Sequence, residues 1–219
     1  MDRNSKLLSI YHTMHSALGN SDWWPGETSL EIMLGAILTQ NTSWINVEKA
    51  INNLKNENLL TLPKIQALEE EALAELIRPA GFFRIKAKRI RALLAWSEES
   101  CGSDLEKLSA ISTEQLREEL LEVKGIGPET ADAILLYALN RPSFVVDEYT
   151  RRIFSRHALV WEDISYFELR EFFMDVLEPD TALFNEYHAL IVRVGKKWCK
   201  RSKPLCDTCP LKKFLDYQT

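Results

Sequence analysis

Apolar residues return at intervals of three and four along almost the whole chain: over 6–18, 29–39, 44–57, 64–77, 86–98, 113–123, 129–140, 148–158, 165–177 and 181–199. That spacing lines up one face of an α-helix, so each stretch predicts an amphipathic helix. No alternating polar–apolar run is long enough to compete as a strand. Helix starts are marked by Thr28 and Ser29 before the apolar 30–38 run, and by Ser112 with Gln115 three residues on, a capping-box pattern. Breaks fall at W-W-P-G (23–26), R-P-A-G (78–81), C-G-S (101–103), K-G-I-G-P (124–128) and N-R-P-S (140–143). There is no internal repeat and no low-complexity segment. The pattern predicts an all-α fold.

With 219 residues, the chain is long enough for one large domain or two small ones, each with a core of its own. Apolar residues at 46% and charged residues at 27% exclude a disordered chain. No apolar run reaches bilayer length and the start, MDRNSKLL, has no signal-peptide core, so a soluble, cytoplasmic protein without membrane contact is expected. The net charge of −5 hides an uneven distribution. Between Lys196 and Lys213 seven basic residues face one acid, Asp207, leaving −11 on the rest of the chain. A second basic run, Arg84, Lys86, Lys88, Arg89 and Arg91, follows G-F-F at 81–83. Positive patches on an acidic body can serve as a nucleic-acid footprint, and solvated helix faces are the plainer alternative.

The densest chemistry lies between Val123 and Asp147. Gly125 and Gly127 form a turn where the backbone can come close to another molecule, since no Cβ intervenes. Pro128 then starts a helix whose first amides point outward and suit a phosphate. Asp147 follows an apolar run, a costly place for a charge, and it also suits an N-cap for a helix starting at Glu148. A phosphate clamp followed by a placed carboxylate points to an enzyme acting on nucleic acid.

Four separated segments carry a resemblance to a known family: L-T-Q-N-T (38–42), G-F-F-R-I-K-A-K-R (81–89), the V-K-G-I-G-P-E-T-A hairpin (123–131), and V-V-D-E-Y-T-R-R (145–152) followed by a cysteine tail. In order and spacing they resemble the endonuclease III-like helix-hairpin-helix DNA glycosylases over nearly the whole chain. W-W-P at 23–25 and the surroundings of 38–44 and 123–149 are most similar to the 3-methyladenine glycosylase branch. The resemblance implies two helical lobes: a six-helix barrel over 23–140 carrying the hairpin, and a lobe joining 1–22 to 141–219 that carries Asp147 and the cysteine loop. It places a DNA-binding cleft between them.

Roles follow residue by residue from the same resemblance. Asp147 stabilises positive charge on the sugar and orients water as the base leaves. Lys124, Gly125 and Gly127 contact DNA phosphates. Gln40 fills the space of a flipped-out base and Phe82 wedges the opposite strand, although a core aromatic is an equal reading of G-F-F and only one of Phe82 and Phe83 need point outward. Trp23, Trp24 and Trp44 are candidates to sandwich a flipped alkylated purine, with Glu129 beside them and Lys196 near the pocket, near the phosphates or simply at the surface. Glu129 departs from the pattern, because strand-cutting members have a lysine there to form a Schiff base and a carboxylate cannot. A monofunctional enzyme is therefore expected. The tail, Cys199-x6-Cys206-x2-Cys209, matches the first three positions of an iron–sulfur loop; the fourth is Leu215, with Asp216 adjacent and Cys101 far off in the chain. A [4Fe–4S] cluster with an unusual fourth ligand, a degraded site and zinc all stay open.

The expected partner is double-stranded DNA with a damaged base, bound by a monomer, nucleoid-associated if bacterial. Alternatives are an endonuclease III-type enzyme for oxidised pyrimidines or mismatches, a non-catalytic damaged-DNA binder, and a redox-responsive regulator acting through the cysteine loop.

Overall fold

A computed structural model describes residues 2–21, 26–102 and 104–215. The described residues are helical without a strand. The α-helices are α1 (Arg3–Leu18), α2 (Ser29–Leu38), α3 (Trp44–Asn56), α4 (Leu62–Ala67), α5 (Glu70–Leu76), α6 (Phe83–Cys101), α7 (Thr113–Glu122), α8 (Pro128–Ala133), α9 (Glu148–Arg156), α10 (Tyr166–Met174) and α11 (Thr181–Lys197). None is long and apolar enough to cross a membrane among the described residues.

Periodicity found most of these helices but misjudged three details. The helix expected over 64–77 is two, because Leu68 and Glu69 adopt extended backbone between α4 and α5. Leu68 turns out of the helix to pack against the core, so tertiary packing overrides a continuous local pattern. The helix expected over 129–140 is regular only to Ala133 and continues as a π-turn over Ile134–Ala138. At Ser112 the hydroxyl caps the Gln115 amide at 3.1 Å, but the Gln115 side chain bonds Glu119 instead of closing a capping box.

The chain divides into two compact units, Met1–Trp24 with Pro142–Thr219, and Pro25–Arg141. In the contiguous unit α2 is apolar on nearly every side, with Leu30, Met33, Leu34, Ile37 and Leu38 buried. Such a helix belongs at a centre, and α3, α6, α8 and the π-turn pack around it. Each of those large side chains contributes about 1.5–3 kcal/mol by leaving water. The hairpin's two helices are tied by a buried ion pair, Arg117 to Asp132 at 2.8 Å, from α7 to α8.

The unit built from both chain ends has an aromatic core. Phe144 stacks on Phe173 at 4.0 Å, and Phe184 and Tyr187 meet Phe144 edge-on. The Tyr187 hydroxyl donates to the Leu7 carbonyl at 2.8 Å, fastening α11 to α1. Gly195 permits the contact of α11 with α9: a Cβ there would lie 2.3 Å from the Tyr149 ring.

Candidate active site

Asp147 is the N-cap of α9 in a complete capping box. Its Oδ1 accepts the Thr150 amide at 2.7 Å and the Thr150 hydroxyl at 2.9 Å, while the Asp147 amide donates to Thr150 Oγ1. Oδ2 faces His188 Nε2 of α11 at 3.6 Å. The two carboxylate oxygens thus have different neighbours, one locked by backbone and one turned to an imidazole. Burial pushes against the charged form of Asp147, but His188 and the Thr150 bonds outweigh it and hold the pKa below the ordinary carboxylate value. The N-cap and a carboxylate favoured in its charged form therefore coexist in one side chain. Thr150 was legible in the D-x-x-T spacing; His188 was not, because a histidine on the apolar stripe of α11 carries no signal of its own.

In the contiguous unit, Gln40 and the hairpin form one hydrogen-bonded group. Gln40 Nε2 donates to the Gly125 carbonyl at 3.2 Å and to Thr130 Oγ1 at 2.9 Å, and Arg89 Nη1 donates to Gln40 Oε1. Gln40 is half-buried and pinned to the hairpin rather than projecting from the surface. Gly125 has φ 93°, and a Cβ there would meet the Arg89 stem at 2.4 Å. The close approach foreseen at Gly125 is thus already taken by Arg89. At Gly127, the N-cap of α8, nothing lies within 4 Å of a built Cβ. Lys124 and Glu129, on either side, are exposed.

The basic run 84–91 is not a single positive surface. Lys86 is 1% exposed and its ammonium donates to the carbonyls of Leu38 and Ala80 and to Thr42 Oγ1, at 2.7–2.8 Å. Burial, with Arg89 nearby, pushes its pKa down to about 8. Arg84 pairs with Glu71 and Arg91 donates to the Gln66 carbonyl, leaving Lys88 exposed. The sequence signal failed because charge counts do not reveal that one ammonium has three acceptors waiting inside.

Phe82 stands in left-handed backbone, φ 48°, and is 69% exposed. Phe83 packs against the core, with the Arg78 guanidinium 4.5 Å from its ring centre. Phe82 is therefore the outward member of the pair. Trp44 begins α3, half-buried over Gly35, and its indole donates to Glu48 at 2.9 Å. Lys196 is exposed in the last turn of α11. Trp23, Trp24 and Asp216 lie outside the described residues.

Cys199, Cys206, Cys209 and Leu215 line one small cavity. Burial raises the Cys209 thiol, helped by the neighbouring Cys199 and Cys206 sulfurs. Arg156 of α9 donates to Cys199 Sγ at 3.3 Å and to the carbonyls of Lys200 and Arg201, and Arg152 donates to the Cys199 carbonyl. The helix capped by Asp147 is thus the one that holds the cysteine loop. Cys101 belongs to the other unit, where its thiol donates to the Ser97 carbonyl.

An all-helical chain with a glycine hairpin between α7 and α8, and an aspartate capping a later helix, has the architecture of the helix-hairpin-helix DNA glycosylases. The chain belongs to the HhH-GPD superfamily of base excision DNA repair proteins, whose family model matches residues 34–179. It is 51% identical to a Methanocaldococcus jannaschii protein named as a DNA repair glycosylase, over 95% of this chain and 94% of that one. It is 30% identical to endonuclease III of Sulfolobus acidocaldarius, over 84% and 80% of the two chains. The crystal structure of H. pylori 3-methyladenine DNA glycosylase bound to 1,N6-ethenoadenine superposes with a TM-score of 0.75 at 33% identity, covering 90% of this chain and 98% of that one.

Proposed function

We propose that this glycosylase is monofunctional, flipping alkylated purines of the 3-methyladenine type out of duplex DNA and hydrolysing their N-glycosidic bond. The observation that carries the proposal is Glu129, exposed in the first turn of α8 where a strand-cutting enzyme needs an amine. A carboxylate cannot form the imine on which elimination depends. Its physical effect there is to favour the positive end of the helix. The similarity to a 3-methyladenine glycosylase structure holding an alkylated-purine relative of adenine supports the substrate class.

In this mechanism the base leaves first and charge builds on the sugar. Asp147, with its pKa held low, stands ionised at neutral pH to stabilise that charge and to orient water on it. Its Oδ1 is fixed by Thr150, which leaves Oδ2, steadied by His188, as the oxygen available for the reaction. A base that already carries positive charge is a good leaving group, so no strong general acid is required in the pocket. Trp44, with Trp23 and Trp24, would stack against that base, with Glu129 and Lys196 as candidate polar neighbours. Lys124 and the amides at Gly125 and Gly127 would hold the phosphates, Phe82 would wedge the opposite strand, and Gln40 would leave its bonds to Gly125 and Thr130 to enter the gap.

The three cysteines fit a [4Fe–4S] cluster in chemistry and placement. All three line one cavity, and Arg156 donates to the Cys199 sulfur at 3.3 Å. Among the described residues no three His, Cys, Asp or Glu side chains gather tightly enough for a single metal ion. Zinc, whose ligands crowd to within about 2.3 Å of one point, is the other group these thiols could take. Such a cluster would be structural, pinning the basic loop, and would supply no step of base release.

The experiment is a mass-spectrometric survey of bases released from methylated and from oxidised DNA, run beside borohydride trapping. Release of 3-methyladenine without a trapped adduct is expected, with release lost in Asp147→Asn while DNA binding persists. A borohydride-trapped adduct, or release confined to oxidised pyrimidines, overturns the proposal in favour of endonuclease III-type chemistry. No release from any lesion would make the protein a damaged-DNA binder.

A further inference from the structure

The cysteine pattern supplies three thiolates and a leucine where a fourth ligand is needed. We propose that His157 provides the fourth ligand of the iron–sulfur cluster, in the place that Leu215 cannot fill. This rests on the cluster proposed above.

The placement follows from how the cavity is walled. One wall is the end of α9, a second is the end of α11 leading into Cys199, and the loop from Cys206 to Leu215 closes the space. His157 is the C-cap of α9; its amide is bonded back to the Ile153 carbonyl, and its ring is 7% exposed and lines the same cavity as the three thiols. The other polar groups around the cavity are committed cations. Arg156 is spent on Cys199 Sγ and two loop carbonyls, and the Lys212 ammonium bonds Asp207 at 3.0 Å. The remaining lining is hydrocarbon and the indole of Trp198, none of which ligates iron. Among the described residues His157 is thus the cavity's one imidazole beside its three thiols.

The chemistry is permissive. Imidazole replaces thiolate on iron in other iron–sulfur centres, and it is a neutral ligand. Assembly would release the protons of the three thiols and leave the imidazole uncharged, with its second ring nitrogen keeping the proton. The cluster would carry one negative charge fewer than with four thiolates, which moves its reduction potential upward. The same ligand would tie the metal to α9, the helix that Asp147 caps, from the opposite end.

The test uses the full chain, produced without oxygen and with ¹⁵N-labelled histidine. Iron and acid-labile sulfide are measured, and pulsed electron paramagnetic resonance is recorded on the reduced protein. A histidine nitrogen coupling in the wild type, absent from His157→Cys with iron retained, is the expected result. His157→Ala should lose roughly a quarter of the bound iron, as one corner of a four-iron cluster becomes labile, or the whole cluster. A cluster without nitrogen coupling, or one that survives in His157→Ala but is lost in Asp216→Ala, overturns the assignment and leaves the cluster standing. Wild-type protein with neither iron nor sulfide overturns the cluster itself, and the assignment with it. Should His157→Ala fold poorly, the coupling in the wild type and its loss in His157→Cys still decide the matter.

Discussion

Gly125 and Gly127 stand two residues apart in one turn and look interchangeable in the sequence, yet they answer to different demands. Gly125 combines φ 93° with the Arg89 stem lying where its Cβ would be. Its lack of a side chain serves the protein's own packing, and it holds Arg89 in reach of Gln40. Gly127 has ordinary backbone and open space, so nothing within the chain requires glycine there. Under the proposed function, an incoming phosphate backbone would. Gly127→Ala should therefore leave thermal stability nearly unchanged and weaken duplex binding, whereas Gly125→Ala should lower stability by about 1–2 kcal/mol from the left-handed backbone alone. Denaturant melts paired with fluorescence-anisotropy titrations on duplex DNA would check both. Equal stability losses at the two positions, with unchanged DNA binding at Gly127, would refute the distinction.

At the scale of elements, α6 organises the contiguous unit through residues on its inner side. Lys86 gathers the end of α2, the Thr42 turn and the Ala80 turn just before Phe82, and one turn later Arg89 reaches Gln40. The loops that carry Gln40 and Phe82 are thus set by a buried ammonium whose three donors meet three acceptors. Its pKa of about 8 against an ordinary 10.5 gives a signed consequence. Between about pH 8 and 10.5 the folded protein has released this proton while the unfolded chain still binds it, so stability contributed by this site rises with pH through that window. Below about pH 8 the cost of the buried charge is present in full. Comparison with Lys86→Met isolates the term. The wild type should gain on the variant by up to about 3 kcal/mol as pH is raised through the window, read from urea melts at each pH. A difference flat in pH would mean that Lys86 is not perturbed. Neither this role nor the split of α4 from α5 was legible in the sequence, because both depend on acceptors and packing surfaces brought from distant segments. The hairpin, the helix starts and the Asp147 cap were legible because each is decided within a few residues.

For the whole molecule, the decisive feature is that one unit is continuous and the other is stitched from the two ends of the chain. Pro25–Arg141 holds the α2-centred core, the buried Arg117–Asp132 pair and the Lys86 anchor, all within its own stretch. A stretch with its own core, and with buried charges either paired or hydrogen-bonded inside it, has what an independent domain needs. The discontinuous unit cannot form until α1 and α11, separated by the entire other unit, have met at contacts such as Tyr187 with Leu7. Long-range closure of that kind is slow compared with local helix packing. Residues 25–141 expressed alone should therefore give a helical circular-dichroism spectrum and a cooperative thermal melt. The fragment retains Gly127, Phe82 and Gln40 and lacks Asp147, so it should bind duplex DNA weakly and release no base. A melt without a cooperative transition would show that the contiguous core depends on the rest of the chain. Base release by the fragment would remove Asp147 from the chemistry altogether.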